Sequence, residues 1–266
     1  MIRSSWRYLR LWGYFVRFSV SRAMEFRLDF FFRIFMDTLF YVVNILFYQL
    51  IFQNTLSVAG WNKPQVMIFV SGFLLVDAIQ MTLFSNNTWW IPIFVNRGDL
   101  DYYIIRPVSS LFFLSLRDFA VNSFFNLVIA SGIMAWAIHH YPEPLSALKI
   151  FGYLLLILGG TFLHYLLSIL MLLPVFWTQS NDGLQQLQYQ LMKTSERPDR
   201  IFKGWVRRVL VTLLPYSLVA SFPARLFLEK FDGLILLHFI GVISLFFLLV
   251  NWGWNRGLRA YSSASS

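Results

Sequence analysis

Long apolar runs separated by short polar ones set the pattern of this chain. Residues 30–52, 66–84, 112–137, 150–174, 209–228 and 234–252 are each predominantly apolar. At ~1.5 Å per residue such stretches are long enough to cross a ~30 Å hydrocarbon layer as α-helices. Ahead of them, Leu9, Trp12, Val16, Val20 and Ala23 fall at helical spacing against Arg3, Arg7, Arg10 and Arg17. That spacing predicts an amphipathic helix over residues 1–29 lying in the headgroup region, its arginines toward anionic lipid. Residues 255–266 form a serine-rich tail. The expected fold is an all-α membrane protein: six transmembrane helices and an N-terminal amphipathic interfacial helix.

Polar residues inside the apolar runs mark where helices should face one another rather than lipid. The first span begins with Glu25, Asp29, Arg33 and Asp37 at four-residue steps, so opposite charges can pair one turn apart and Asp37 sits about two turns deep. The second carries Asp77 and Gln80, and Ser85-Asn86-Asn87-Thr88-Trp89-Trp90 after it reads as an interfacial end. The third opens with Arg117 and Asp118, and a continuous helix there puts Asp118, Asn122 and Asn126 on one face. They serve either as interhelical hydrogen bonds or as the lining of a solute path. The fifth is interrupted by Pro215 and Pro223, with Arg225 near its end, so non-helical backbone is expected there, buried in protein or at the interface.

Two polar segments stand out. Residues 96–107 hold Asn96, Arg97, Gly98, Asp99, Leu100, Asp101, Tyr102 and Tyr103, then Arg106 and Pro107. This island is too short for a domain and reads as a docking surface. Residues 178–208, rich in Gln and Arg, are a second contact surface or a charged juxtamembrane loop. His139 and His140 are adjacent in a turn and share no helix face, so they read as loop residues; His164 and His238 read as hydrogen-bonded bundle residues.

Composition sharpens the class. The chain is 58% hydrophobic and 13% charged, with a mean hydropathy of +0.60, far from the roughly 25% charged of soluble domains. Its basic residues alternate with apolar runs rather than forming a reading motif, which argues against nucleic acid despite a formal charge of +9. With no cysteine, disulfide frameworks and thiol chemistry are excluded. Six crossings place both termini on one side. Assigning the arm, the island, residues 178–208 and the tail to that side gives it eighteen Lys and Arg against four, which predicts that it is cytoplasmic. Tryptophans fall at expected span ends or in the arm: Trp61 and Trp136 outside, the other eight, Trp205 among them, inside.

The basic arm, the island, Trp205-Val206-Arg207, Leu214-Pro215-Tyr216 and Ser221-Phe222-Pro223-Ala224 together resemble the membrane subunits of ABC-2 type transporters, the small six-span permeases of bacterial exporters whose ATPase is a separate chain. The resemblance implies a type V exporter-like fold in the bacterial inner membrane. It also implies a coupling element at 98–103 that docks on the ATPase, and a broken, partly re-entrant outer hairpin over 215–229. No Gly-x-x-x-x-Gly-Lys-Ser/Thr stretch occurs, so ATP and Mg are expected on the partner and no cofactor or metal in this chain. The implied assembly has two permeases, identical or paralogous, and two ATPase subunits, with lipid around them. Gly253 and Gly257 form a small-xxx-small pair that can pack helices. The alternative reading is an ion- or proton-coupled secondary transporter using Asp37, Asp77 and Asp118, against which no internal repeat is evident. An intramembrane enzyme is disfavoured because the histidines and carboxylates form no catalytic constellation.

Overall fold

The computed structural model describes the backbone of residues 2–23, 27–179 and 182–261. The side chains of residues 1–7, 9, 22–27, 29, 180–182 and 262–266 lie outside the described set, and with them Glu25, the expected pairing of Asp29 with Arg33 and the arm residues Arg3, Arg7, Leu9 and Ala23. The described residues form thirteen α-helices joined by short 3₁₀ and π turns, with no strand beyond one bridge between Val58 and Trp61.

In chain order the helices are α1 (Ile2–Ala23), α2 (Arg27–Asn54), α3 (Lys63–Gln80), α4 (Asn86–Arg97), α5 (Asp101–Ile104), α6 (Ser110–Leu116), α7 (Val121–His139), α8 (Ala147–Leu172), α9 (Val175–Thr178), α10 (Asp182–Met192), α11 (Gly204–Thr212), α12 (Leu218–Leu228) and α13 (Gly233–Ala260). Five of these, alone or joined end to end, are long and apolar enough to cross a membrane; the bent pair α11–α12 makes a sixth candidate. Each of the spanning helices α3, α8 and α13 starts with a side-chain cap. Asn62 and Gln65 exchange hydrogen bonds in a capping box, Ser146 accepts from the Lys149 N–H, and Asp232 accepts from Leu234 and Ile235. These caps satisfy amide groups that the first helical turn leaves without partners.

α3 is the central column, buried along nearly all of its length between α7, α8, α12 and α2. Small residues allow the closest approaches. A Cβ on Gly160 of α8 would lie 2.1 Å from the Val219 carbonyl oxygen of α12, and one on Gly72 of α3 would lie 2.2 Å from the Tyr153 hydroxyl. Gly253 and Gly257 face Leu173 and Phe176, so the small-xxx-small pair packs α13 against the end of α8 and α9.

The bundle has two ends. One holds α1, the island and the end of α13: Tyr8 stacks edge-on against Phe112, and the Trp254 indole N–H donates to Ser110 Oγ at 3.1 Å. The far end holds the α2–α3 loop, the α7–α8 loop and residues 229–232. Residues 178–208 were expected at the arm end, and their later half is instead at the far end. Tyr48 donates to the Glu196 carbonyl at 2.7 Å, Arg200 pairs with Glu229, and Glu229 accepts from the Trp61 indole at 3.1 Å. α10 therefore runs away from the arm end, and α11 and α12 follow, bent by 74°, with α12 packed on α8 and α3. The Val211 carbonyl of α11 accepts from His238 near the start of α13 at 3.2 Å, and α12 ends at Glu229 beside Trp61.

Two sequence expectations change with this. Counting that segment's six Lys and Arg at the far end leaves twelve against ten, so positive charge alone no longer orients the chain. Trp205 moves to the far end with α11, and Trp61 is buried at 3% exposure rather than lying in a lipid-facing belt.

The anchor of this end is Asp199, whose side chain is fully buried. It accepts from Arg207 at 2.7 Å and Arg225 at 3.4 Å, while its N–H donates to Ser221 Oγ at 3.0 Å. A carboxylate taken out of water is tolerable only when paired in this way.

Two outcomes are expected. Gly160→Ala should destabilise the fold by about 1–3 kcal/mol through the forced separation of α8 from α12, whereas Gly152→Ala, with open space around it, should be close to neutral; thermal unfolding in detergent reads both. In a chain without native cysteine, Lys203→Cys should react with an impermeant maleimide from the same membrane side as Lys63→Cys.

Candidate functional site

The island is built as a turn on the end of a long helix. α3, a π turn at Met81–Ser85 and α4 run on without a break for 35 residues, from Lys63 to Arg97. The helix runs on through Ser85 to Trp90, where Asn87 and Thr88 are buried inside the bundle and Trp89 and Trp90 are exposed. Gly98 closes α4 at φ 82°, a left-handed conformation that a side chain would strain. Leu100 is fully buried beneath the following turn. Asn96, Arg97, Tyr102, Ile104, Ile105, Arg106 and Pro107 are exposed, with Tyr102 at 67% and Ile105 at 80%, while Asp99, Asp101 and Tyr103 are half-buried. The island thus presents an apolar and cationic outer surface on a buried leucine.

Behind it the third span is broken. The pattern predicts one helix from 112 to 137, but α6 ends at Leu116 and α7 starts at Val121. The residues between, Arg117 to Ala120, leave backbone groups without helical partners, and Asp118 and Ala120 are buried away from water. The second span supplies them. Asn87 Nδ2 donates to the Asp118 carbonyl at 2.7 Å, and Asn87 Oδ1 accepts from the Asp118 N–H at 3.0 Å, so one side-chain amide replaces a strand of backbone. The Thr82 carbonyl, in the π turn, accepts from the Ala120 N–H at 3.0 Å. A π turn shifts helical pairing by a residue and releases a carbonyl, which here finds the amide of the neighbouring break.

α1 closes the other side. Ser19 Oγ accepts from the Phe119 N–H at 2.9 Å and donates to Asp118 Oδ1 at 3.3 Å. Farther out, the Ser109 N–H donates to Tyr8 Oη at 3.3 Å, and Phe15 meets Phe113 edge-on. The face of α1 turned to the protein therefore carries Tyr8, Phe15 and Ser19, whereas Trp12 and Val20 of the predicted stripe are exposed.

Arg117 joins the break to the island. Its guanidinium donates to the Tyr103 hydroxyl and lies over the rings of Phe94, at 4.7 Å, and Tyr103, at 5.5 Å. Arg106 lies over Phe113 at 4.8 Å and donates to the Tyr102 carbonyl at 3.1 Å. Tyr103, Phe94 and Phe113 form one aromatic cluster, so the island, α4 and α6 share a floor. Cation–π contacts of this kind are each worth about 0.5–2 kcal/mol and hold side chains in fixed geometry.

The other polar positions separate into two groups. Asp118, Asn122 and Asn126 do not share a helix face, because Asp118 precedes α7. Asn122 donates to Ser123 Oγ at 3.4 Å, and Asn126 donates to Asp37 on α2. Asp77 and Asp37 line one cavity with His164, while Gln80 is buried with its side-chain oxygen unpartnered among the described residues. His164 likewise has no hydrogen-bond partner among the described residues, unlike His238. Pro215 opens the 3₁₀ turn between α11 and α12, Pro223 lies inside α12, and Arg225 reaches Asp199. Sequence reasoning passed over Asn87, Thr82 and Ser19. A two-asparagine step in an apolar run was a signal for Asn87, but nothing local marks Ser19.

Replacing Asn87 by Leu should destabilise the protein by about 1–3 kcal/mol per backbone group stranded at Asp118, while Asn86→Leu, one residue away, should not; thermal unfolding of the two variants gives the comparison.

The chain belongs to the ABC-2 family of transporter proteins: the family model of that description, ABC-2 family transporter protein, matches residues 38–265. No curated protein and no solved structure matches it. It is thus a multi-pass membrane component of an ABC transporter, a role that implies an ATPase partner.

Proposed function

We propose that this ABC-2 membrane component is the permease subunit of an ATP-driven exporter, moving an amphiphilic or lipid-like solute out of the cytoplasm or inner leaflet. It works with two ATPase subunits that carry ATP and Mg, and with a second permease, identical or paralogous. The arm end faces the cytoplasm of a bacterial inner membrane, with both termini on that side and α1 lying in the headgroups.

The observation that carries the reading is the path from the island to the broken span. A partner that grips Tyr102, Ile105 and Arg106 moves Tyr103, and Tyr103 is held to Arg117 at the edge of the break. A displacement there reaches three elements at once: α4 through Asn87, the π turn through Thr82, and α1 through Ser19. A short rigid contact transmits a push where a long flexible loop would absorb it. Asp99 and Asp101 flank the grip and complement basic groups on a partner.

The outer hairpin is α11, its 3₁₀ turn and α12, stapled by Asp199, Arg207 and Arg225. In this reading α10 and the turns after it make the fifth crossing, and the hairpin re-enters from outside without crossing.

In proteoliposomes containing the assembled transporter, the Asp99→Ala/Asp101→Ala pair should lower ATP-driven transport at least tenfold while leaving membrane insertion intact. Arg117→Ala should do the same with ATP hydrolysis retained. Wild-type transport in both would end the coupling assignment.

A further inference from the structure

Away from the island and the break lies a second polar assembly. A cavity of about 300 Å³ opens inside the bundle between α2, α3, α8 and the end of α10. Three carboxyl groups line it from elements distant in sequence: Asp37, Asp77 and Glu196. Its basic member, Lys193, has its ammonium 4.6 Å from the centre of the Tyr189 ring. Phe40, Phe73 and Met81 are among its apolar walls.

The charges are unevenly partnered. Glu196 lies near Lys193 and Arg197, and Asp37 lies near Arg33 and accepts from Asn126. Asp77 accepts from Tyr41, and the charged groups acting on it are Asp37 and Glu196, both of its own sign. His164, 4% exposed, lines the same space with neither ring nitrogen partnered among the described residues. Carboxyl groups at membrane depth are costly and are kept where they serve a function.

We infer that this cavity binds an organic cation, an ammonium-type head on an apolar body. The carboxyl groups of Asp77 and Asp37 receive the head, and Phe40, Phe73 and Met81 offer apolar area to the body. Three carboxyl groups against one lysine disfavour an anion. A bare metal ion would need a denser set of oxygen or nitrogen ligands than this site gives, and no group of three His, Asp or Glu with metal-holding geometry exists among the described residues. The volume suits a small organic molecule, at the lower end of ligand sites. That the cation is carried across the membrane rests on the permease role proposed above; that it binds does not.

The probe is phenyltrimethylammonium, and the measurement is equilibrium binding to the full-length protein in lipid nanodiscs without ATP. Saturable binding is expected, at least tenfold weaker in Asp77→Asn and unchanged in Glu143→Gln, an exposed loop carboxyl. Neither tert-butylbenzene, its neutral isostere, nor benzenesulfonate should compete. The wild-type chain gives a reading that needs no variant: the probe should slow carbodiimide labelling of Asp77. Absence of saturable binding, equal affinity for the neutral isostere, an unaltered affinity in a folded Asp77→Asn protein, or labelling indifferent to the probe would each overturn the site. ATP-driven transport of another solute without probe binding would remove the cation site and leave the permease role standing. Probe binding without ATP-driven movement of any solute would do the reverse.

Discussion

A backbone amide or carbonyl that loses its helical partner inside a packed bundle must find another, and the architecture around the island follows from that constraint. The third span gives up its helix for Arg117 to Ala120, and what it loses is replaced from three directions: an asparagine side chain, a carbonyl released by a π turn, and a serine from the N-terminal helix. None of the three would have reason to sit where it does without the break. The π turn of the second span and the gap in the third are thus one feature, and α1 is locked to both.

The far end shows the same economy with charge in place of backbone. Asp199 is fully enclosed, and its two arginines come from α11 and α12, so the ion pairs bind together the arms of the bent hairpin. Glu229 continues the network to Arg200 and to the Trp61 indole on the α2–α3 loop. Both arginines meet Asp199 Oδ2 while its Oδ1 has no hydrogen-bond partner among the described residues, so these buried pairs fix the hairpin's geometry more than they add stability.

Much of this was legible in the sequence, because apolar runs of span length admit few other readings, and the polar island and the proline-broken segment contrast with everything near them. The misreadings have local causes. Ser85 to Trp90 looks interfacial by composition, yet Asn87 is buried because it serves a break thirty-one residues away. Residues 195–207 are polar enough for a juxtamembrane loop, but Arg200 and Arg207 pair with Glu229 and Asp199 at the other end. Periodicity put Asp118 on a helix face because a missing helical turn leaves no mark in the hydrophobic pattern. The cavity around Asp77 was half visible: Asp37 and Asp77 were evident as buried acids, while Glu196 and His164 join them only through tertiary packing.

What these elements add up to is a bundle in which the contact surface for a partner is a few side chains from the most interdependent backbone in the molecule. Amide hydrogen exchange at residues 118–120 of the assembled transporter, with and without ATP, tests that directly. These amides should be strongly protected at rest by Asn87, Ser19 and Thr82, and should lose protection when ATP drives the partner, with the loss abolished by Arg117→Ala. Protection unchanged by ATP in a transporter that is moving its solute would contradict the account.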